Sequence, residues 1–134
     1  VRDADALARA FDDTCVCIGT NGTCSVLLFE DGRWRTVGDV SALTKLTNFL
    51  AETDDVSSIK PTFVSLGPNG RFYVERSDGR HACVGPDELR LCIDTEAEQR
   101  GGVASVAFAR ELHWFLVSRD ASWRHCGMFH ADLN

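Results

Sequence analysis

Cysteine and histidine are the residues in this chain best suited to chemistry. Cys15 and Cys17 share one side of any strand that carries them, and Cys24 returns toward them across the "IGTNG" turn. Three thiolates with His81 or His125 beside them would suit zinc. The "CVC" spacing lacks the paired C-x-x-C knuckles of a structural zinc site, however. Cys126 also aligns with Val37 and Val84, which gives it a small apolar role. The six cysteines therefore read first as buried free thiols, then as disulfides, and last as metal ligands. His125, Cys126 and His130 crowd together as a nucleophile and base would, but no carboxylate or amide stands at a spacing that would orient them.

The remaining candidates are aromatic and basic. "FEDGRWRTVG" sets Trp34 between Arg33 and Arg35, behind an Asp-Gly turn. Neighbouring rings at Phe72–Tyr73 and Trp114–Phe115 point to opposite faces of a strand, so a sheet covered on one face would leave a row of rings for a partner. Acidic pairs such as Asp12–Asp13 and Asp54–Asp55 read as solvated loops and helix ends, with nothing to mark a glycosidase pair. "GTNG" and "GPNG" lack the lysine of a phosphate loop and read as turns.

A chain of 134 residues, 44% apolar and 25% charged, suits one domain spanning 1–134. The net charge of −6 favours solubility and argues against nucleic acid. No apolar run is long enough to cross a bilayer as a helix. The opening at Val1 leaves open a cleaved targeting peptide, as for an organellar protein, a trimmed terminus, or excision from a longer chain.

These side chains are carried on an internal repeat. "IGTNGTCSVLLFEDGRWRTVG", "LGPNGRFYVERSDGRHACVG" and "FARELHWFLVSRDASWRHCG" align through the turn residues Asp31, Asp78 and Asp120, followed by the rings Trp34, His81 and Trp123. Gly67 and Ala109 match ahead of the second strands, with the first copy matched through Gly19 by allowing one extra residue. Each copy predicts three short strands and a helix, as "TFVSL", "RFYVERS", "RHACV" and "PDELRLCI" show in the second. In the first copy Leu43, Leu46, Phe49 and Leu50 fall at helical spacing. The third copy's "ARELH" predicts a longer or differently shaped first turn. Its "MFHADLN" reads as a truncated helix, and a further helix is expected over 3–12. The repeats occupy approximately 14–55, 56–100 and 101–134. The expected fold is α+β: three meanders joined in one curved or barrel-like sheet with helices packed on it. Blades of an incomplete propeller are the less favoured packing.

The copies resemble the WG- or tectonin-like short β-repeats, with a consensus near F-V-x-L-G-x-x-G-x-x-F-V-x-x-x-D-G-x-W-x-x-x-G that is clearest in the second copy. The resemblance implies a non-catalytic binding or scaffold module. Together with the two-faced aromatic strands, it leads to a protein–protein interaction domain, an accessory subunit of a larger assembly. Arg33, Trp34, Arg35, Tyr73, Trp114 and Trp123 are the expected contact or packing anchors. No cofactor is expected. The alternative is a glycan or small-ligand module in which Trp34, His81 and Trp123 form equivalent platforms beside the three aspartates.

Overall fold

The computed structural model describes residues 14–54, 58–110 and 113–125. The helix expected over 3–12, the "MFHADLN" segment, Cys126 and His130 lie outside the described residues.

The turn at each repeated aspartate is built the same way. The carboxylates of Asp31, Asp78 and Asp120 each accept the backbone N–H two residues on, from Arg33, Arg80 and Ser122, all at 3.0 Å. The loop is then closed by Phe29 N–H to Arg33 O, Arg76 N–H to Arg80 O and Ser118 N–H to Ser122 O. A three-residue loop of this kind needs a left-handed third residue, here Gly32, Gly79 and Ala121. Each turn joins the second and third strands of a meander. The strands are β1 Cys15–Thr20, β2 Cys24–Phe29 and β3 Trp34–Gly38; β4 Pro61–Leu66, β5 Phe72–Arg76 and β6 His81–Val84; and β7 Val103–Phe108, β8 Trp114–Ser118 and β9 Trp123–His125. Every first strand carries a register shift at the same place: Cys15/Cys17, Pro61/Phe63 and Val103/Ser105. The repeat thus extends to its irregularities.

The register corrects the alignment of the first turns. Thr20 pairs with Ser25, Leu66 with Phe72 and Phe108 with Trp114. The matching bonds are Asn21 N–H to Cys24 O, Gly67 N–H to Arg71 O and Ala109 N–H to His113 O. Asn21, not Gly19, is therefore the counterpart of Gly67, and the first copy is one residue shorter here rather than one longer. The third copy's turn has the same length as the second's. Asn21 makes the shorter loop work because its side-chain oxygen accepts the N–H groups of Thr23 and Cys24.

The expected single curved or barrel-like sheet is not what forms. The described residues form three separate three-stranded antiparallel sheets, none closed into a barrel, with modest helical content. The reason lies in β5, where the adjacent residues Phe72 and Tyr73 point to opposite faces and both are fully buried. A sheet apolar on both faces must be covered on both, which helices on one side cannot do. The sheets therefore stack like blades through their first strands, β1 beside β4 and β4 beside β7.

The helices occupy the gaps between sheets. α1 (Thr44–Ala51), preceded by a 3-10 turn at Ser41–Leu43, contributes the buried Leu46, Phe49 and Leu50, with Leu43 from that turn. These pack against Val26 and Leu28 of the first sheet and Val64, Phe72 and Val74 of the second. α2 (Asp87–Gln99) begins after Pro86 with Asp87 and Glu88 in its first turn, as the helix dipole favours. Its Leu89 and Ile93 fill a second core with Tyr73, Val106, Trp114 and Leu116. Where first strands meet, side chains are small: a Cβ on Gly19 would lie 3.2 Å from Val64 O, and the Cys17 thiol donates to that same oxygen.

Candidate interaction face on the third sheet

Strand register places three sets of side chains in equivalent positions. Val26, Tyr73 and Phe115 match on the second strands, paired with Thr36, Cys83 and His125 on the third. Trp34, His81 and Trp123 match at the start of the third strands, paired with Leu28, Glu75 and Val117. In the first sheet this face is covered by α1 and the second sheet, and in the second sheet by α2 and the third.

On the third sheet no described helix or strand covers the same face. Phe115 is 42% and Trp123 58% exposed, against 1% for Tyr73. Phe115, Trp123 and His125 form a cluster of near-parallel rings, with centroids 5.3 Å apart for Phe115–Trp123, 5.5 Å for Trp123–His125 and 6.0 Å for Phe115–His125. The strand bearing two of these rings is held from behind. Glu96 of α2 is buried and accepts hydrogen bonds from the Ser118 hydroxyl at 2.8 Å and from Arg124 Nε at 3.4 Å, with Arg100 Nε at 3.0 Å. Sheet and helix thus fix β9 while its outer face stays free of both.

The other expected anchors lie elsewhere. Trp34 is half-buried against the first core, and its Nε1–H donates to Asp54 Oδ1 at 2.8 Å, just beyond α1. Tyr73 is core: its hydroxyl donates to Glu75 at 3.0 Å, its ring stacks on His81 at 5.7 Å, and burial raises its pKa. Trp114 is core as well, and its buried Nε1 has no acceptor among the described residues. Arg33 pairs with Asp31 at 2.6 Å and lies over the Phe29 ring. Arg35 sits half-buried across from Leu27. Of the six, only Trp123 belongs to this face of the third sheet. Sequence reasoning missed Phe115 and His125 as its neighbours, although the alternation at Trp114–Phe115 signals that one ring of that pair faces outward.

Two other clusters carry chemistry-bearing side chains. His81, Cys83 and Asp94 line a small cavity of about 190 Å³, with His81 Nε2 4.0 Å from Asp94. Burial pushes the Cys83 thiol up to about 11, which favours the protonated thiol at neutral pH. A polar cleft of about 440 Å³ lies between the second and third sheets, lined by Tyr73, Glu75, Arg76 and Arg119 among others. Its charges are already matched: Glu75 by Arg119 at 3.0 Å, and Arg76 by Asp78 and Glu52 at 2.8 and 3.1 Å. Cys15, Cys17, Cys24, Cys83 and Cys92 are free thiols. Among the described residues, no three metal-ligating side chains come together and no helix is long and apolar enough to cross a membrane.

Among the described residues, fold and site define a stack of three-stranded repeats whose third sheet exposes the rings of Phe115 and Trp123. The chain matches no family model, no curated protein and no solved structure.

Proposed function

We propose that this chain is a non-catalytic protein–protein interaction domain, a scaffold or accessory subunit that docks a partner through the outer face of its third sheet. The observation that carries this reading is the exposure of Phe115 and Trp123, where the counterparts Val26 and Tyr73 are fully buried and Trp34 and His81 are half-buried. Aromatic side chains on a rigid strand lose little entropy on binding and bury large areas, which is why they dominate interface energies. The glycan alternative is less well supported. It needs Trp34 and His81 as platforms equivalent to Trp123, and these are engaged with Asp54 and with Tyr73.

The test is affinity capture with the intact chain and with a Phe115→Ser/Trp123→Ser variant. Leu91→Ser, at an exposed apolar position on α2, serves as the surface control. A specific partner retained by wild type and by the control, but lost by the double variant, is the expected result. Equal capture by all three, or a strictly monomeric chain that captures nothing, rejects the reading.

A further inference from the structure

The junction between successive sheets is built twice in this chain, and each time first strands make it. At the first, a Cβ on Gly19 of β1 would lie 3.2 Å from Val64 O and 3.3 Å from the Leu66 side chain of β4, and the Cys17 thiol donates to the Val64 carbonyl at 3.5 Å. At the second, Gly67, just past β4, meets Phe108 of β7. α1 and α2 fill the cores beside these junctions, while β4 and β7 make the contacts themselves. Register then shows what each end of the stack presents. Ile18, Val64 and Val106 are equivalent, paired with Leu27, Val74 and Leu116, and Gly19, Ser65 and Ala107 are equivalent, paired with Val26, Tyr73 and Phe115. Val64 and Val106 each pack with the sheet before and are buried, whereas Ile18 is 48% exposed. Gly19 is buried and Ser65 half-buried, whereas Ala107 is exposed beside the exposed Phe115. Both halves of a junction that the chain builds twice are therefore exposed, one on the first sheet and one on the third.

We infer that these two halves meet between copies of the chain, the first sheet of one protomer packing on the third sheet of another. Ile18 and Thr20 of one protomer then face Ala107 of the other, as Val64 and Leu66 face Gly19 within the chain. The inference rests on the interaction-domain reading and names the partner as a second copy. What selects a second copy is that the contact needs another sheet's first strand, and the chain's own β1 presents that strand with its apolar Ile18 exposed. A contact between two different surfaces is heterologous, and it ends only where the rotation closes a ring. Two copies of a three-sheet stack give six sheets, within the roughly four to eight blades of radial sheet assemblies, and three copies exceed that range. The expected product is a closed dimer.

Sedimentation equilibrium of the intact chain and of two charged variants, alone and mixed, is the test. Ile18→Glu blocks the half on the first sheet and Ala107→Arg the half on the third. Both positions are exposed, so the variants should melt with wild type. Wild type should be a dimer, and each variant alone should raise the dissociation constant by about tenfold or more, because it places an unpaired charge in a packed contact. Equal mixing of the two variants should restore the dimer. One of its contacts is then wild type on both sides, and the other sets Glu against Arg. Only a head-to-tail contact behaves this way. Dimeric Ile18→Glu beside monomeric Ala107→Arg would mean that two third sheets meet, and overturns the inference. Dimers that survive both substitutions, or a mixture that stays monomeric, overturn it too. So does a monomeric wild type. If that monomer still captures a different protein through Phe115 and Trp123, the interaction-domain reading stands without self-association; if it captures nothing, both fall.

Discussion

Tyr73 and Phe115 hold the same place in successive sheets, paired with Cys83 and His125, yet Tyr73 is 1% exposed and Phe115 42%. What differs is the layer above them: α2 and the third sheet cover Tyr73, and neither covers Phe115. Equivalent positions should therefore respond oppositely to truncation. Tyr73→Ala should cost about 3–5 kcal/mol, as for other large aromatic deletions in cores. Phe115→Ser and Trp123→Ser should each cost about 1–2 kcal/mol, since each removes a partly exposed ring and two stacking contacts. Urea unfolding of the three variants measures this. A Phe115→Ser loss as large as that of Tyr73→Ala would mean that the ring is core, and the interaction face would fall with it.

Ala121 offers a test of the repeat itself. It sits at φ 73°, where the matching turns have Gly32 at 93° and Gly79 at 86°. A left-handed residue with a Cβ costs about 1–2 kcal/mol relative to glycine, partly offset by glycine's greater freedom in the unfolded chain. Ala121→Gly should therefore stabilise the protein by about 0.5–1 kcal/mol. Gly79→Ala should destabilise it by a similar or larger amount through backbone conformation alone, because nothing lies within 4 Å of the added methyl. Melting temperatures of the two variants should move in opposite directions. Movement in the same direction would refute the shared turn geometry.

Gly67 is constrained by space instead of conformation. A Cβ there would come 2.6 Å from Phe108 Cβ, an atom that cannot move without its backbone. The same residue's carbonyl accepts the Asn21 side-chain N–H at 3.2 Å, so all three sheets meet near this point. Gly67→Ala should cost about 1–3 kcal/mol through overpacking. Phe108→Gly, which removes that Cβ, should recover part of that loss in the same chain, and a double-mutant cycle by denaturant unfolding reads the coupling directly. Additive losses would show that the sheets do not approach as closely as described.

The hairpin turns, the strands of the second copy and the apolar stripe of α1 were legible in the sequence, because each depends on residues close together in the chain. The Asp-Gly dipeptides mark their turns through a carboxylate-to-backbone bond spanning two residues. Leu43, Leu46, Phe49 and Leu50 mark a helical segment by spacing alone. The stacking of separate sheets was not legible. It follows from both faces of β5 being covered, which is a tertiary fact that adjacent rings at Phe72–Tyr73 suggest without specifying. The glycine match at Gly19 failed because "GTNG" and "GPNG" look alike while strand register, set by pairing partners, puts Asn21 opposite Cys24. The pairing of Trp34 with Asp54 carries no local signature, since the acid lies beyond a whole helix. The half-burial of Arg35 has no physical account in the surrounding contacts.

Acid should weaken the fold through the three turn aspartates. All three have pKa values below the ordinary carboxylate range, and the dominant cause differs. For Asp31 it is the bond from the Arg33 backbone N–H, for Asp78 the bond from the Arg76 side chain, and for Asp120 the bond from the Ser122 hydroxyl. A carboxylate whose pKa is depressed by folding contributes stability that is present above its unfolded value, about 3.9, and is lost as pH falls through the lower folded value. The melting temperature should therefore fall below about pH 4. Asparagine keeps an oxygen for the turn N–H and removes the titration. Asp31→Asn and Asp120→Asn should flatten the acid limb while leaving the neutral melting temperature nearly unchanged. Asp78→Asn should flatten it and also lower the neutral value, because Arg76 is buried over the Phe49 ring and loses the fork it makes at 2.8 and 3.3 Å. Melting curves at half-unit steps from pH 6 to pH 2 separate these outcomes. An acid limb as steep in the Asp78→Asn protein as in wild type would remove this aspartate from the acid response and, with it, the argument that its pairing with Arg76 is what acid breaks.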